Sequence, residues 1–194
     1  MNFKLTYADL KTIYEKKGYA FFDNGDFNLN IGAFRMSIHS DIYDDVFFVA
    51  YKEEGIEKVE FFECTTDPGS FYLLNPMSKD GAFIMVPGQY RGAYTPGPHG
   101  STKYRALRQI KRIKGYRDLT KDTKHDLDPD TIQDGIFFTN IHHGWDSAKV
   151  GKNSAGCQVL RFKESLNRLL ELVDKSIPLY GNKLTYTLME KSDI

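Results

Sequence analysis

The chain holds two cysteines and five histidines, and one cysteine stands in a pattern that suits covalent chemistry. Cys157 follows Ser154-Ala155-Gly156, and Ile141-His142-His143-Gly144 lies a short polar stretch upstream. Attack by cysteine needs the thiolate, and a neighbouring imidazole can take the thiol proton and hold a thiolate–imidazolium pair. Small residues before the thiol let a substrate approach the backbone. The N–H groups of Ser154, Ala155 and Gly156 can face a developing oxyanion. Cys64, just after Phe61-Phe62 and without a histidine nearby, reads instead as a small buried strand residue. Zinc is the rival use of His142, His143 and Cys157. Adjacent histidines on a strand point to opposite faces, so one ion would not easily take both. No metal and no cofactor is expected.

The elements that must position these residues follow from periodicity. Ile136 to Ile141 is an apolar run that reads as a strand over Gly135 to Ile141, and Cys157 to Leu160 is a second, short one. The polar loop between them carries His142, His143, Trp145 and Ser154. Upstream, Thr6-Tyr7-Ala8-Asp9 is a capping signal, and Leu10, Ile13 and Tyr14 keep helical spacing, so a helix is expected from about Tyr7 to Lys17, stopped by Gly18. Asn24-Gly25 between Tyr19–Phe22 and Phe27–Phe34 predicts a hairpin, as does Lys52-Glu53-Glu54-Gly55 between Val46–Tyr51 and Val59–Cys64. Phe71–Leu74 and Ala82–Val86 read as short strands. Residues 87–101 are dense in Gly, Pro and Tyr and predict a recognition loop, with a plain connector as the alternative. Ala106 to Tyr116 reads as extended, and Asp118 to Asp134 as an acidic surface excursion that lacks the glycine and glutamate of a calcium-binding hand. Leu166, Leu169, Leu170 and Val173 mark an amphipathic helix over Phe162 to Ser176, ended by Pro178, before a last strand at Leu184–Met189. The expectation is an α+β chain: a β-rich core, a sheet or sandwich, with one helix near each end. All 194 residues form one domain, on which an N-terminal helix–hairpin portion, about 1–45, packs.

The bulk properties exclude several classes. Lys plus Arg equals Asp plus Glu, so no global charge favours nucleic acid or an anionic membrane. The basic run Lys103 to Lys114 interleaves Leu107, Ile110 and Ile113 and reads as a solvated face. No stretch is apolar enough to insert in a membrane, and Met1 to Leu10 lacks the pattern of a secretory signal. Cytoplasmic synthesis and some other route of delivery are therefore expected. Oligomeric state is not legible.

Ile141-His142 followed by Ser154-Ala155-Gly156-Cys157 resembles the His … Ser/Thr-x-Gly-Cys motif of the L,D-transpeptidase catalytic domain. Thr65-Thr66-Asp67-Pro68-Gly69-Ser70-Phe71 resembles the Thr-Pro-x-Gly-x-Phe segment of the same family. Asn140-Ile141-His142, Ser154 to Val159 and Pro87-Gly88-Gln89-Tyr90 look like a phage-borne branch. The likeness runs from about Thr65 to Leu160. It implies a β-rich fold and a cysteine peptidase or transpeptidase acting on peptidoglycan stem peptides, with hydrolysis favoured. Phage-mediated release or carriage on a virion would bring such an enzyme to the wall. Residue by residue it implies Cys157 as nucleophile, His142 as general base, His143 as donor of a ring-orienting carbonyl, and Gly156 with Cys157 as oxyanion donors. Two positions depart from the family: Val159 stands where Arg or Asn is usual, and Ala155 where His is frequent. Arg161, Arg91 or Lys103 could replace the missing cation. Tyr90, Gln89, His99, Arg161 and Trp145 are the candidate substrate-binding residues. A phage structural or wall-binding protein that retains the fold without catalysis is the alternative, and an amidase or acyltransferase on another substrate is a third reading.

Overall fold

The computed structural model describes residues 3–38 and 41–194. In chain order the helices are α1 (Tyr7–Lys16), α2 (Ser70–Leu74) and α3 (Lys163–Tyr180). The strands are β1 (Asn30–Arg35), β2 (Asp45–Glu53), β3 (Ile56–Thr65), β4 (Ala82–Met85), β5 (Gly88–His99), β6 (Tyr104–Gln109), β7 (Ile113–Asp118), β8 (Gln133–Gly135), β9 (Ile141–His143), β10 (Gln158–Leu160) and β11 (Leu184–Glu190). The arrangement is α+β and β-rich. Eight strands close into a barrel in the order β1-β11-β5-β6-β9-β10-β3-β2, and β4-β7-β8 form a separate three-stranded sheet. The β1–β11 and β9–β10 pairs are parallel.

α1 starts at the expected cap. The Asp9 N–H donates to Thr6 Oγ1 at 3.1 Å, and the Thr6 N–H donates to Asp9 Oδ2 at 2.8 Å. Its buried face, Tyr7, Leu10, Ile13 and Tyr14, packs on Phe34, Phe48, Ala50 and Met189 outside the barrel. α3 buries Leu166, Leu169, Leu170, Leu172 and Val173 in the main core with Phe47, Tyr94, Ile141 and Tyr186. The β2–β3 hairpin turns through two residues, Glu54 (φ 53) and Gly55 (φ 75), whose N–H groups both donate to the Asp26 carboxylate.

Five expectations are corrected. No strand forms at Tyr19–Phe22, because side chains occupy its backbone: Asn30 bonds the Phe22 N–H and carbonyl, and Gln89 bonds those of Ala20. The strand after the Asn-Gly turn therefore pairs with β2 and β11. Phe71–Leu74 is helical, because the Asp41 carboxylate accepts from both the N–H and the hydroxyl of Ser70, the first residue of the turn. Residues 87–101 are mostly strand: β5 pairs with β11 near its start and with β6 from Tyr94 to His99. Pro96 and Pro98 are tolerated because β11 pairs no further than Tyr94, so their nitrogens face an open edge. The run expected over Gly135–Ile141 is a strand only at its two ends, β8 and β9. α3 passes Pro178 to end at Gly181 (φ 82), since a proline in the last turn removes little of the helix's bonding.

Candidate active site

Parallel pairing of β9 with β10 sets Gln158 opposite Ile141 and Val159 opposite His142. Cys157 therefore comes up beside Asn140, where the loop rejoins the barrel. Both Cys157 and His142 line a cavity of about 740 Å³. The walls come from five places, the first being the stretch from α2 towards β4 with Tyr72, Met77 and Ser78. β9 and its preceding segment give Phe137, Phe138, Thr139, Asn140 and His142. The β5–β6 turn gives His99, Ser101 and Tyr104, the small sheet gives Phe83 and Arg117, and the loop gives Trp145, Lys152 and Gly156.

Gly156 is required by space. It has φ 114, and a Cβ there would stand 2.5 Å from the Phe83 carbonyl oxygen. Ser154 is fully buried and locks the turn: its hydroxyl donates to the Cys157 carbonyl at 2.9 Å and accepts the Gly156 N–H at 3.2 Å. The oxyanion donor expected of Gly156 is thus engaged within the loop, and of the expected pair the Cys157 N–H remains. On the far side Gln158 anchors β10, accepting from the Tyr186 hydroxyl at 2.7 Å and donating to the Thr66 carbonyl at 3.3 Å.

His142 is 5% exposed, and its Nδ1 lies 2.9 Å from the His143 carbonyl oxygen. A carbonyl only accepts, so Nδ1 carries the proton and Nε2 has the free lone pair. The His99 ring stacks on His142 with centroids 4.2 Å apart at 19°. Asn140 Nδ2 donates to His99 Nδ1 at 2.9 Å. The His143 ring turns to the opposite face, as alternation along a strand requires. There it accepts the Trp145 N–H at 3.1 Å and borders a separate groove with Arg105 and Lys163.

Electrostatics run against a resting ion pair. Burial pushes the Cys157 thiol up to about 11, with the Asn140 N–H pulling weakly the other way. Burial, joined by the charge of His99, pulls His142 down to about 3. Burial also lowers His99. The thiol donates to the Phe138 carbonyl at 3.8 Å, and among the described residues no hydrogen bond joins it to an imidazole. Burial thus favours the neutral thiol and the neutral imidazole over the thiolate–imidazolium pair expected from the residue types.

Several candidate residues lie elsewhere. Gln89 holds Ala20, and the Tyr90 hydroxyl donates to the Val86 carbonyl; neither borders the cavity. Arg161 is paired with Glu63 at 2.7 Å, and neither it, Arg91 nor Lys103 reaches the cavity. Val159 is buried in a small cluster with Tyr43 and Val150, so a cation at that position would be buried too. Cys64 is fully buried in the main core, with its thiol pushed well up by burial. His99 and Trp145 do border the cavity.

Residue-type reasoning missed Arg117, Lys152, Phe83, Phe138, Tyr104 and Gln109. Gln109 builds one wall: its Oε1 accepts the N–H groups of Phe137 (3.0 Å) and Thr139 (3.1 Å), and its Nε2 donates to the carbonyls of Lys111 (2.8 Å) and Gly135 (3.0 Å). That bonding holds Phe138 at φ 58 and 66% exposed; Trp145, also at φ 58 and 58% exposed, lines the same cavity. Bulky residues at positive φ persist where the surroundings over-determine them. Among the described residues no group of three or more His, Cys, Asp or Glu could hold a metal, and no helix is long and apolar enough to cross a membrane.

No protein-family model, curated protein or solved structure matches this chain.

Proposed function

We propose that Cys157 and His142 carry out acyl transfer on peptidoglycan stem peptides, with hydrolysis as the main outcome and phage delivery to the wall. In this reading the barrel and its flanking sheet are a version of the L,D-transpeptidase-like fold. One observation carries it: Cys157 and His142 line the same cavity, and His142 already spends Nδ1 on its neighbour's carbonyl, so that Nε2 is the nitrogen left to accept a proton. The Cys157 sulfur would add to the peptide carbonyl carbon as its proton passes to Nε2. Collapse would expel the amine, which takes that proton, and water would then cleave the thioester.

The test is purified protein with muropeptides, products read by mass. Wild type is expected to release stem fragments, and Cys157→Ala and His142→Gln to lower the rate at least about a hundredfold. Cleavage by Cys157→Ala at the wild-type rate overturns the reading.

A second reading, a wall-binding or structural protein without turnover, is favoured by the neutral thiol and its Phe138 carbonyl partner. Slow labelling of Cys157 at neutral pH does not separate the two, since a thiol near 11 labels slowly in both. Turnover does.

A further inference from the structure

Among the described residues no aspartate and no glutamate lines the cavity, yet it takes in Arg117 and Lys152. Arg117 is the informative one. It sits on β7 with its guanidinium over the rings of Phe137 (4.7 Å) and Phe83 (5.4 Å). Its Nε donates to Gln133 Oε1 at 2.9 Å and its Nη1 to the Gly81 carbonyl at 3.3 Å. Those contacts fix the plane of the guanidinium but are all neutral. Among the described residues it forms no ion pair, as holds also for Arg91 and Arg108 outside the cavity, whereas Arg35, Arg105, Arg112, Arg161 and Arg168 each have a carboxylate partner. Burial lowers it from the usual arginine range, offset in part by the more distant charge of Asp80. A partly desolvated, rigidly held cation without a counter-charge is costly in the empty protein and is relieved by an anion in the cavity. Lys152, over the Phe71 ring at 4.3 Å, adds a second positive charge at the rim.

We infer that Arg117 is the specificity residue of this cavity and that it selects an acyl donor carrying a free carboxylate. The inference rests on the cavity being the substrate site, as proposed above, and it deepens that reading by assigning the anchoring charge to β7. Two residues after the cysteine, where the resembled family usually has Arg or Asn, stands Val159, buried in a small cluster with Tyr43 and Val150.

The chain's single tryptophan, Trp145, borders the cavity and reports occupancy by fluorescence. Cys157→Ala protein, which cannot turn over, would be titrated with acetyl-L-alanyl-D-glutamate and with its diamide. The dicarboxylate is expected to bind about tenfold tighter, the value of one charge-assisted contact. In Cys157→Ala/Arg117→Gln that preference is expected to vanish while the diamide binds as before. Arg117→Lys, which keeps the charge, is expected to retain part of it. Equal binding of the two ligands, absence of binding by either, or a preference that survives Arg117→Gln overturns the assignment. Loss of preference in Arg117→Lys as well makes the effect one of folding and overturns it too. Because no step involves the thiol, a failure of Cys157 in the muropeptide assay leaves this measurement readable, so the two failures are distinguishable.

Discussion

At the scale of the residue, the balance at Cys157 is between burial, which disfavours the thiolate, and polar groups that could stabilise it. Burial prevails: the thiol stands near 11 and His142 near 3. Between those values both groups are neutral, and the thiolate fraction at pH 8 is on the order of one in a thousand. Alkylation of Cys157 by iodoacetamide, followed by mass spectrometry of its peptide, is expected to rise about tenfold per pH unit from pH 7 to about 9.5 without a plateau. A stable thiolate–imidazolium pair would instead give a rate that is flat above about pH 5, and that result would remove the neutral resting state. On the proposed reading, proton transfer to His142 belongs to the step in which substrate fills the cavity. The stacked His99 opposes a second positive charge beside it, which favours a base that stays neutral until it reacts.

At the scale of the element, the wall from Phe137 to Asn140 has lost its strand ladder and hangs on the amide of Gln109, with Asn140 Oδ1 accepting the Gln109 N–H at 3.0 Å in return. Gln109→Leu keeps the volume but leaves two N–H and two C=O groups without their partner. A loss of about 3 kcal/mol in urea denaturation is expected, with faster hydrogen exchange at the Phe137 and Thr139 amides. Unchanged exchange there would mean that the wall is held by other contacts. Nothing in the local pattern discloses this role, because Gln109 sits in a basic stretch that reads as a solvated face. Helices α1 and α3, the β2–β3 hairpin and β11 were legible, since cap, period and turn are local properties. Tyr19–Phe22 and β5 were not. Their outcome depends on which side chain or strand claims the backbone, and two of the partners, Gln89 for Ala20 and β11 for β5, lie far along the chain. The site divides in the same way. Cys157, His142 and Gly156 belong to one contiguous motif, whereas Arg117 reaches the cavity only because β7 pairs with β4.

At the scale of the whole molecule, a barrel closed by the short strands β9 and β10 buries an imidazole in its wall, and that has a consequence for stability. Above about pH 6.5 His142 is neutral both folded and unfolded, so it contributes no pH dependence. Below that, the unfolded chain takes up a proton that the folded site refuses until about pH 3, so folding weakens on acidification. His99 and His143, both lowered chiefly by burial, act in the same direction. Asp45 acts in the opposite one: burial and the neighbouring Asp67 raise it, so its penalty eases as pH falls. The wild-type curve alone therefore does not isolate the imidazole, but its difference from His142→Gln does, because Asp45 and the other histidines are common to both. Urea denaturation at pH 6.5 and pH 5 is expected to show wild type losing about 1.6 kcal/mol more than His142→Gln, because the unfolded imidazole is half protonated at the upper pH and the full slope of about 1.4 kcal/mol per unit develops only below it. A difference that stays constant with pH would mean that His142 titrates normally, as it would if water or a thiolate shared its pocket. That result would remove the lowered imidazole from the resting pair, while the thiol, raised by its own burial, is tested separately by the alkylation profile.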